Sequence, residues 1–461
     1  MYQNRKVVGI CSAELDQQFH LKILERVIKE LIDFGYYVML FGSDSDMYHL
    51  TESDIADASV FDLMNYDRMD VVLIFSETIK QQSIINHIVK KVTDAAVPVI
   101  SVGKELDLCY NVIYDTETAF EKLVRHVIEY HGVREVNFIS GMKGNEIAER
   151  RLQIYREVLE DNDILYEEDR VGYGDFWFGP TREVMDRFMA PSKVPPEAII
   201  CANDSMAVAV CDYLREHQMS VPEDMIVAGI DGIDEGIRHT PGITTCVRDE
   251  YHDAKTIAGL VKSLCQGERI AGTTVLMYHL QLSQSCGCQK RRLFDADSVI
   301  AGLSLESANY RADIRKFSEM SDEFLRCETD QEFWDVAAKY MPDNSFLCIN
   351  SDLSLSGVSE SEKRVDGFTP KLQTLVRLQG ETMRSECYLE NVVPEVGKDY
   401  MRDRPVLLFP LHFCEKVVGY IGIWIGAGRQ ANLNRWIHFL LSLDHSAGKR
   451  LIEHSSVSGR E

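Results

Sequence analysis

The chain reads as an α/β protein of two successive lobes, followed by a long helix and a smaller α+β segment. Three observations predict this. Short apolar runs alternate with amphipathic helical stretches through the first hundred residues. The same alternation restarts after residue 115. The composition then changes after Arg292, where a stretch with almost no glycine or proline begins.

In the first lobe, Val7–Cys11 is a short apolar run of the kind that forms a buried strand. Phe19, Ile23, Val27 and Leu31 then recur at i, i+4, i+8 and i+12, with Ile28 widening the apolar face, and Gly35 closes that helix. Tyr37–Phe41, Val71–Phe75 and Val97–Val102 read as further strands, with a helix over Ile79–Val92 between the last two. Strands separated by helices imply a parallel sheet with helices on both faces.

In the second lobe, Phe120–Tyr130 is amphipathic and Val136–Ser140 is a strand ending at Gly141. Helices over Glu146–Leu159, Met206–His217 and Thr256–Cys265 alternate with strands at Ala198–Cys201 and Met225–Ile230, and Val275–Leu282 is a late strand. Two such halves imply a cleft between lobes, because open α/β sheets bind ligands outside the carboxyl ends of their strands.

Beyond Arg292, the apolar residues Val299, Leu303, Tyr310, Ile314, Phe317 and Phe324 keep coiled-coil spacing and predict a helix over 298–326. A helix at Glu332–Tyr340, a strand at Ser345–Asn350 and a polar loop at 351–366 follow. Val406–Leu411 and Val417–Ile425 flank the turn Cys414-Glu415-Lys416, a hairpin signal. Trp436, Leu440, Leu443, Ala447 and Leu451 mark one face of a last helix.

The net charge of −24, from 49 basic and 73 acidic residues, disfavours contact with phosphate backbones. The basic run Lys290-Arg291-Arg292 is too short for a nucleic-acid arm and reads as a solvated turn. The 12 cysteines are scattered, which indicates free thiols in a reducing compartment. The N-terminal apolar run is too short for a secretory leader, no window approaches a membrane span, and a cytoplasmic protein is expected.

Specific residues add a resemblance. Ala202-Asn203-Asp204-Ser205-Met206-Ala207, Val221-Pro222-Glu223-Asp224, Gly229-Ile230-Asp231, Pro241-Gly242-Ile243-Thr244-Thr245, Ala148-Glu149-Arg150-Arg151 and Ser285-Cys286-Gly287 fall in the order of the ligand-binding part of LacI/GalR regulators. Residues 6–288 resemble that part of the family. The resemblance implies a two-lobed periplasmic-binding-protein type 1 fold over 1–290 that senses a sugar-like or other small polar ligand. The family's helix-turn-helix reader has no counterpart before the first strand, so no direct nucleic-acid binding is expected. Ile154, Gly232 and Ser283 depart from the family pattern, as does Asp16-Gln17-Gln18-Phe19, and an altered pocket follows.

The remainder is similar to the linker helix (293–328), GAF-like α+β domain (329–432) and exit helix and tail (433–461) of bacterial proteins in which a LacI-like sensor precedes a GGDEF diguanylate cyclase. Phe409-Pro410-Leu411 and Val418-Gly419-Tyr420-Ile421-Gly422 carry this likeness. No GGDEF signature occurs in the chain, so the output is expected beyond Glu461 or in a separate protein. The helices are expected to pair across a homodimer. The favoured function is a non-catalytic sensor relaying signal transduction to that output. The alternative is a ligand-responsive LacI-type transcription regulator acting through a partner or missing domain.

Candidate site residues follow. The resemblance places Asn203 and Asp204 at the cleft, where an amide and a carboxylate suit hydroxyl-rich ligands; both are also good helix caps. It also makes Arg151 a bidentate clamp, with a surface ion pair as the alternative and Arg150 as a decoy. Asp231 ends a strand, where it meets ligand or simply forms a turn with Gly232. Trp177, between Phe176 and Phe178, stacks on a ligand face or packs between the lobes. In the first lobe Asp16, Gln17, Phe19, Ser76 and Glu77 follow strands. Cys286 and Cys288 lack a second pair or a nearby histidine in sequence, so no metal or cofactor is expected. Neither a phosphate loop nor a nucleophile–base arrangement is present.

Overall fold

The computed structural model describes residues 5–15, 18–45, 47–191, 194–290, 295–353, 367–396, 404–425 and 451. The chain forms two compact units. One holds residues 1–113, 250–274 and 306–461; the other holds 114–249 and 275–305.

In chain order the elements are β1 (Val7–Ser12), α1 (Gln18–Asp33), β2 (Tyr37–Gly42), α2 (Glu52–Ala58), β3 (Val71–Phe75), α3 (Gln82–Asp94), β4 (Val99–Gly103) and β5 (Tyr110–Asp115). Next come α4 (Thr116–Arg125), β6 (Val136–Ser140), α5 (Glu146–Asp161), β7 (Val171–Tyr173), α6 (Phe178–Phe188), β8 (Ala198–Cys201), α7 (Asp204–Glu216), β9 (Ile226–Ala228), α8 (Asp234–Arg238) and β10 (Thr245–Arg248). The chain continues through α9 (Glu250–Cys265), β11 (Thr273–Gln281), α10 (Ala296–Arg326), α11 (Asp330–Tyr340), β12 (Ser345–Asn350), β13 (Lys371–Leu378), β14 (Glu381–Tyr388), β15 (Val406–Phe413) and β16 (Lys416–Trp424).

In the first unit, β2, β1, β3, β4 and β5 lie side by side in that order, all parallel. This is a doubly wound order with its switch point between β1 and β3. β1, β2 and β3 are buried along their whole length, as continuous apolar runs require in a sheet covered on both faces. Leu24, Val27 and Leu31 of α1 are buried where that helix packs on α9, whose Ile257, Ala258 and Val261 are buried in turn. Each of the buried Val, Leu and Ile side chains contributes roughly 1.5–3 kcal/mol on burial.

The segment expected as a separate domain at 329–432 shares this unit with the N-terminal strands. Its β15 pairs in parallel with β2, setting Met39, Leu40 and Phe41 beside Val406, Leu407 and Leu408. The sheet then continues antiparallel through β16, β12, β13 and β14. The free edge of β2 supplies the physical reason: an apolar edge strand exposes a row of unpaired backbone groups that another strand can satisfy. His412 Nε2 of β15 also meets Asp57 Oδ1 of α2 at 3.2 Å, a buried hydrogen-bond contact. The expected hairpin is present, with Phe413 opposite Lys416 across the turn and Cys414 in the left-handed region at φ 54°. The expected last helix, 433–454, lies outside the described residues apart from Leu451.

The second unit is built on four parallel strands in the order β7-β6-β8-β9. Its core stacks Tyr155 on Phe138 at 5.1 Å, and the Tyr155 hydroxyl donates to the Val136 carbonyl at 2.8 Å. Sequence reading passed over α2, β5, β7, α6, α8, β10, β13 and β14. β7 and β10 are 3 and 4 residues long, too short for periodicity to register. β14 is largely exposed and lacks the apolar alternation of a half-buried strand.

Candidate ligand site

The carboxyl ends of β6, β8 and β9 bring together most of the second-unit candidates. β8 stops at Cys201, and Asn203 begins α7 as its N-cap: its Oδ1 accepts from the Met206 N–H at 2.9 Å. Its Nδ2 donates to the Phe176 carbonyl at 3.2 Å. Asn203 thereby ties the helix start to the aromatic turn of residues 174–178.

Asp204 is fully buried. Its Oδ2 accepts from the Gly232 N–H at 2.8 Å, the Ile233 N–H at 3.1 Å and the Thr245 hydroxyl at 2.9 Å. Its Oδ1 has no hydrogen-bond partner among the described residues. Burial pushes this carboxyl up to about 7, with the nearby negative Asp231 adding to the rise and the three hydrogen bonds opposing it. Asp204 holds the 230–233 turn and Thr245 from within.

Arg151 lies on α5, whose start is capped by Asn145. Its Nη1 donates to the Ala202 carbonyl, and its Nη2 lies 3.6 Å from Asp231 Oδ1. The guanidinium sits 6.0 Å from the Phe120 ring centroid. Arg150 faces outward and pairs with Glu117 at 2.8 Å, which separates the decoy from the candidate. Asp231 has φ 129°, a strained conformation for a residue with a side chain. Burial raises its pKa, and the positive charges of Arg151 and Arg248 oppose the rise.

Trp177 is 64% exposed and meets Phe178 edge-on at 5.4 Å. The turn before it places Asp175 and Phe176 in the left-handed region, at φ 51° and 59°. The Phe176 ring lies over Gly141, where an added Cβ would come within 2.0 Å of it. Gly141 thus makes room for the ring, and Trp177 is left with an open aromatic face.

Three residues escaped sequence reading. Arg248 donates through Nε to the Tyr278 hydroxyl at 2.6 Å and lies 4.0 Å from the Tyr114 ring centroid. β10 and β11 pair in register at Arg248 and Tyr278. No spacing could reveal a trio drawn from positions 114, 248 and 278.

In the first unit, Ser76 is fully buried. Its hydroxyl contacts Ser101 Oγ at 2.7 Å, the Val102 carbonyl at 3.0 Å and the Lys104 N–H at 2.9 Å. It joins the ends of β3 and β4 and presents no surface to a ligand in this arrangement. Glu77 follows it, 3.8 Å from His20 Nδ1. Phe19 lies in α1, but its side chain, like all of Asp16 and Gln17, is outside the described residues.

All 12 cysteines are free thiols. Sequence spacing gave Cys286 and Cys288 no histidine partner, yet the fold brings His126 and His131 to them.

Residues 124–286 match the family model of the periplasmic binding protein-like domain. The chain is 24% identical over 206 residues to the probable HTH-type transcriptional repressor ExuR of Bacillus subtilis (strain 168), covering 44% of this chain and 60% of that one. It is 26% identical over 163 residues to the HTH-type transcriptional repressor CytR of Escherichia coli (strain K12), covering 35% and 47%. The chain therefore spans about half the length of these curated relatives. A solved sugar-binding transcriptional regulator of the LacI family from Escherichia coli, complexed with phosphate, covers 60% of this chain and 97% of its own at 17% identity and TM-score 0.50. That likeness is one of fold, the two-lobed α/β architecture expected from the sequence. Among the described residues no helix is long and apolar enough to cross a membrane.

Proposed function

We propose that this chain is the ligand-responsive part of a LacI-type transcription regulator, acting on DNA through a partner or a further domain. The observation that carries the reading is the Arg151–Asp231 pair at the strand ends of a domain matching the ligand-binding type. A half-buried carboxylate, a guanidinium held in place and an exposed indole form a set that recognises a small, hydroxyl-rich ligand such as a sugar. Asn203 and Asp204 support that set from behind. Binding shifts the protein between two arrangements by its differential affinity for them. The pairing of β2 with β15 supports transmission into the 329–432 segment, because strands of one sheet move together.

The protein acts in the cytoplasm as a homodimer, with no catalysis. Relay through a GAF-like domain to a diguanylate cyclase is the second reading and rests on the resemblance of 293–454 alone. Calorimetric titration of the full chain with sugars, nucleosides and amino acids tests the site. One ligand class should bind, and Arg151→Ala and Asp231→Asn should each abolish the heat. Unchanged binding in both variants overturns the assignment. A gel shift with and without candidate DNA-binding partners separates the regulator reading from the relay.

A further inference from the structure

The second unit carries a cluster that the ligand reading does not use. His126 and His131 lie at the end of α4, and Cys286 and Cys288 lie in the segment that precedes α10. One ligand atom from each falls within 4.8 Å of all the others.

Local backbone geometry explains the convergence. Residues 126 and 131 are five apart, which on a regular helix would splay them by about 140°. Here the helix ends in one turn of π-helix over His126–Tyr130, and this wider turn brings position i+5 back over position i. The imidazole Nε2 atoms then sit 3.3 Å apart. Opposite them, Gly287 adopts φ 81°, a left-handed conformation that folds the Cys-Gly-Cys segment so that both sulfurs turn the same way. Cys288 Sγ lies 3.5 Å from His126 Nε2 and 3.4 Å from His131 Nε2.

These separations can be compared with a tetrahedron. Metal–nitrogen bonds of about 2.0–2.1 Å and metal–sulfur bonds of about 2.3 Å give edges of about 3.3 Å between nitrogens and about 3.6 Å between nitrogen and sulfur. The three distances match those edges closely, and the Cys286 sulfur lies within 4.8 Å of each of the other three ligand atoms. Hydrogen bonding alone does not require it, since two histidines and a thiol satisfy one another pairwise without convergence of a fourth group.

We propose that His126, His131, Cys286 and Cys288 bind one zinc ion in a closed, four-ligand structural site. Two thiolates and two imidazoles select a borderline-soft ion over magnesium or calcium, which take oxygen ligands. Four protein ligands leave no open position for catalysis. The ion clips the end of α4 to the segment that leads into α10, and so fixes where the second unit hands over to the rest of the chain. The cluster shares no residue with the Arg151–Asp231 site, so either assignment can fail alone.

The full chain, reduced and stripped of metal with a chelator, is titrated with Co(II) and then Zn(II). One equivalent of Co(II) should give the intense visible bands of a tetrahedral ion with near-ultraviolet thiolate charge transfer, and Zn(II) should displace it. Cys286→Ser and His131→Gln should each weaken binding on the order of 100-fold or more, beyond the loss expected for an outer-shell partner. Cys109→Ser, at a thiol elsewhere, should leave it unchanged. A reduced, folded wild-type chain that takes up no Co(II) in tetrahedral form overturns the proposal without any variant. A tetrahedral spectrum that persists in both folded ligand variants overturns it too.

Discussion

The two parallel sheets finish their carboxyl ends in different chemistry. In the first unit, the hydroxyls close in pairs: Ser12 meets Thr78 at 3.4 Å, Ser76 meets Ser101 at 2.7 Å, and Thr78 Oγ1 accepts from the Ala13 N–H at 2.9 Å. The charged residues nearby pair as well, Lys80 with Glu14 at 3.0 Å. In the second unit, the strand ends carry Arg151, Asp204 and Asp231, with two carboxyls held above their ordinary range. A hydroxyl both donates and accepts, so it can be buried at little cost among its own kind. A buried carboxyl must be given N–H groups or a cation, and it resists ionising when these fall short. The difference shows that one α/β grammar can yield a strand end whose charges pair off and one that holds carboxyls above their ordinary range. Incompletely compensated charge, rather than strand order, marks the end suited to a ligand.

The largest expected break in this contrast is Asp204→Ala. It leaves the Gly232 and Ile233 N–H groups and the Thr245 hydroxyl without their acceptor, at about 3–5 kcal/mol of stability, read from urea unfolding. The same residue carries a pH signature. Between its ordinary 3.8 and about 7 the folded state keeps a proton that the unfolded chain releases. Its contribution to stability is therefore full below about 3.8 and is lost as pH rises through about 7. Asp204→Asn should flatten that part of the stability–pH curve. An unchanged curve would show that the carboxyl is ionised throughout.

Next in size, Arg151→Ala should cost about 2–4 kcal/mol, since it strips the Ala202 carbonyl and Asp231 of their cation. Arg151→Lys should recover part of the stability and little of the ligand binding, because an ammonium lacks the planar fork. Ser76→Ala should cost about 1–2 kcal/mol through the Lys104 N–H it leaves unpaired, with ligand heats unaltered. A loss of binding in Ser76→Ala would erase the distinction between the two strand ends. The smallest stability effect belongs to Trp177→Ala, within about 0.5 kcal/mol for so exposed a residue. Its ligand affinity should fall by about 0.5–1.5 kcal/mol in calorimetry if the indole stacks on the ligand.

Much of this was legible in the sequence. The apolar runs at Val7–Cys11, Tyr37–Phe41, Val71–Phe75 and Ala198–Cys201 became buried parallel strands, because continuous apolarity over that length has few other uses in a covered sheet. The Asn203-Asp204 step was legible as a helix start at a strand end. Local pattern determines such things, since an element's period and caps are encoded within a few residues of one another. Tertiary structure decided the rest. It turned Asp204 inward onto the Gly232–Ile233 turn, gathered Arg248, Tyr114 and Tyr278, joined β15 to β2 across more than 360 positions, and set His126 and His131 against Cys286 and Cys288. Each of these depends on which distant backbone edge or side chain arrives beside it. Sequence spacing carries no record of that meeting, because it is made by the packing of whole elements.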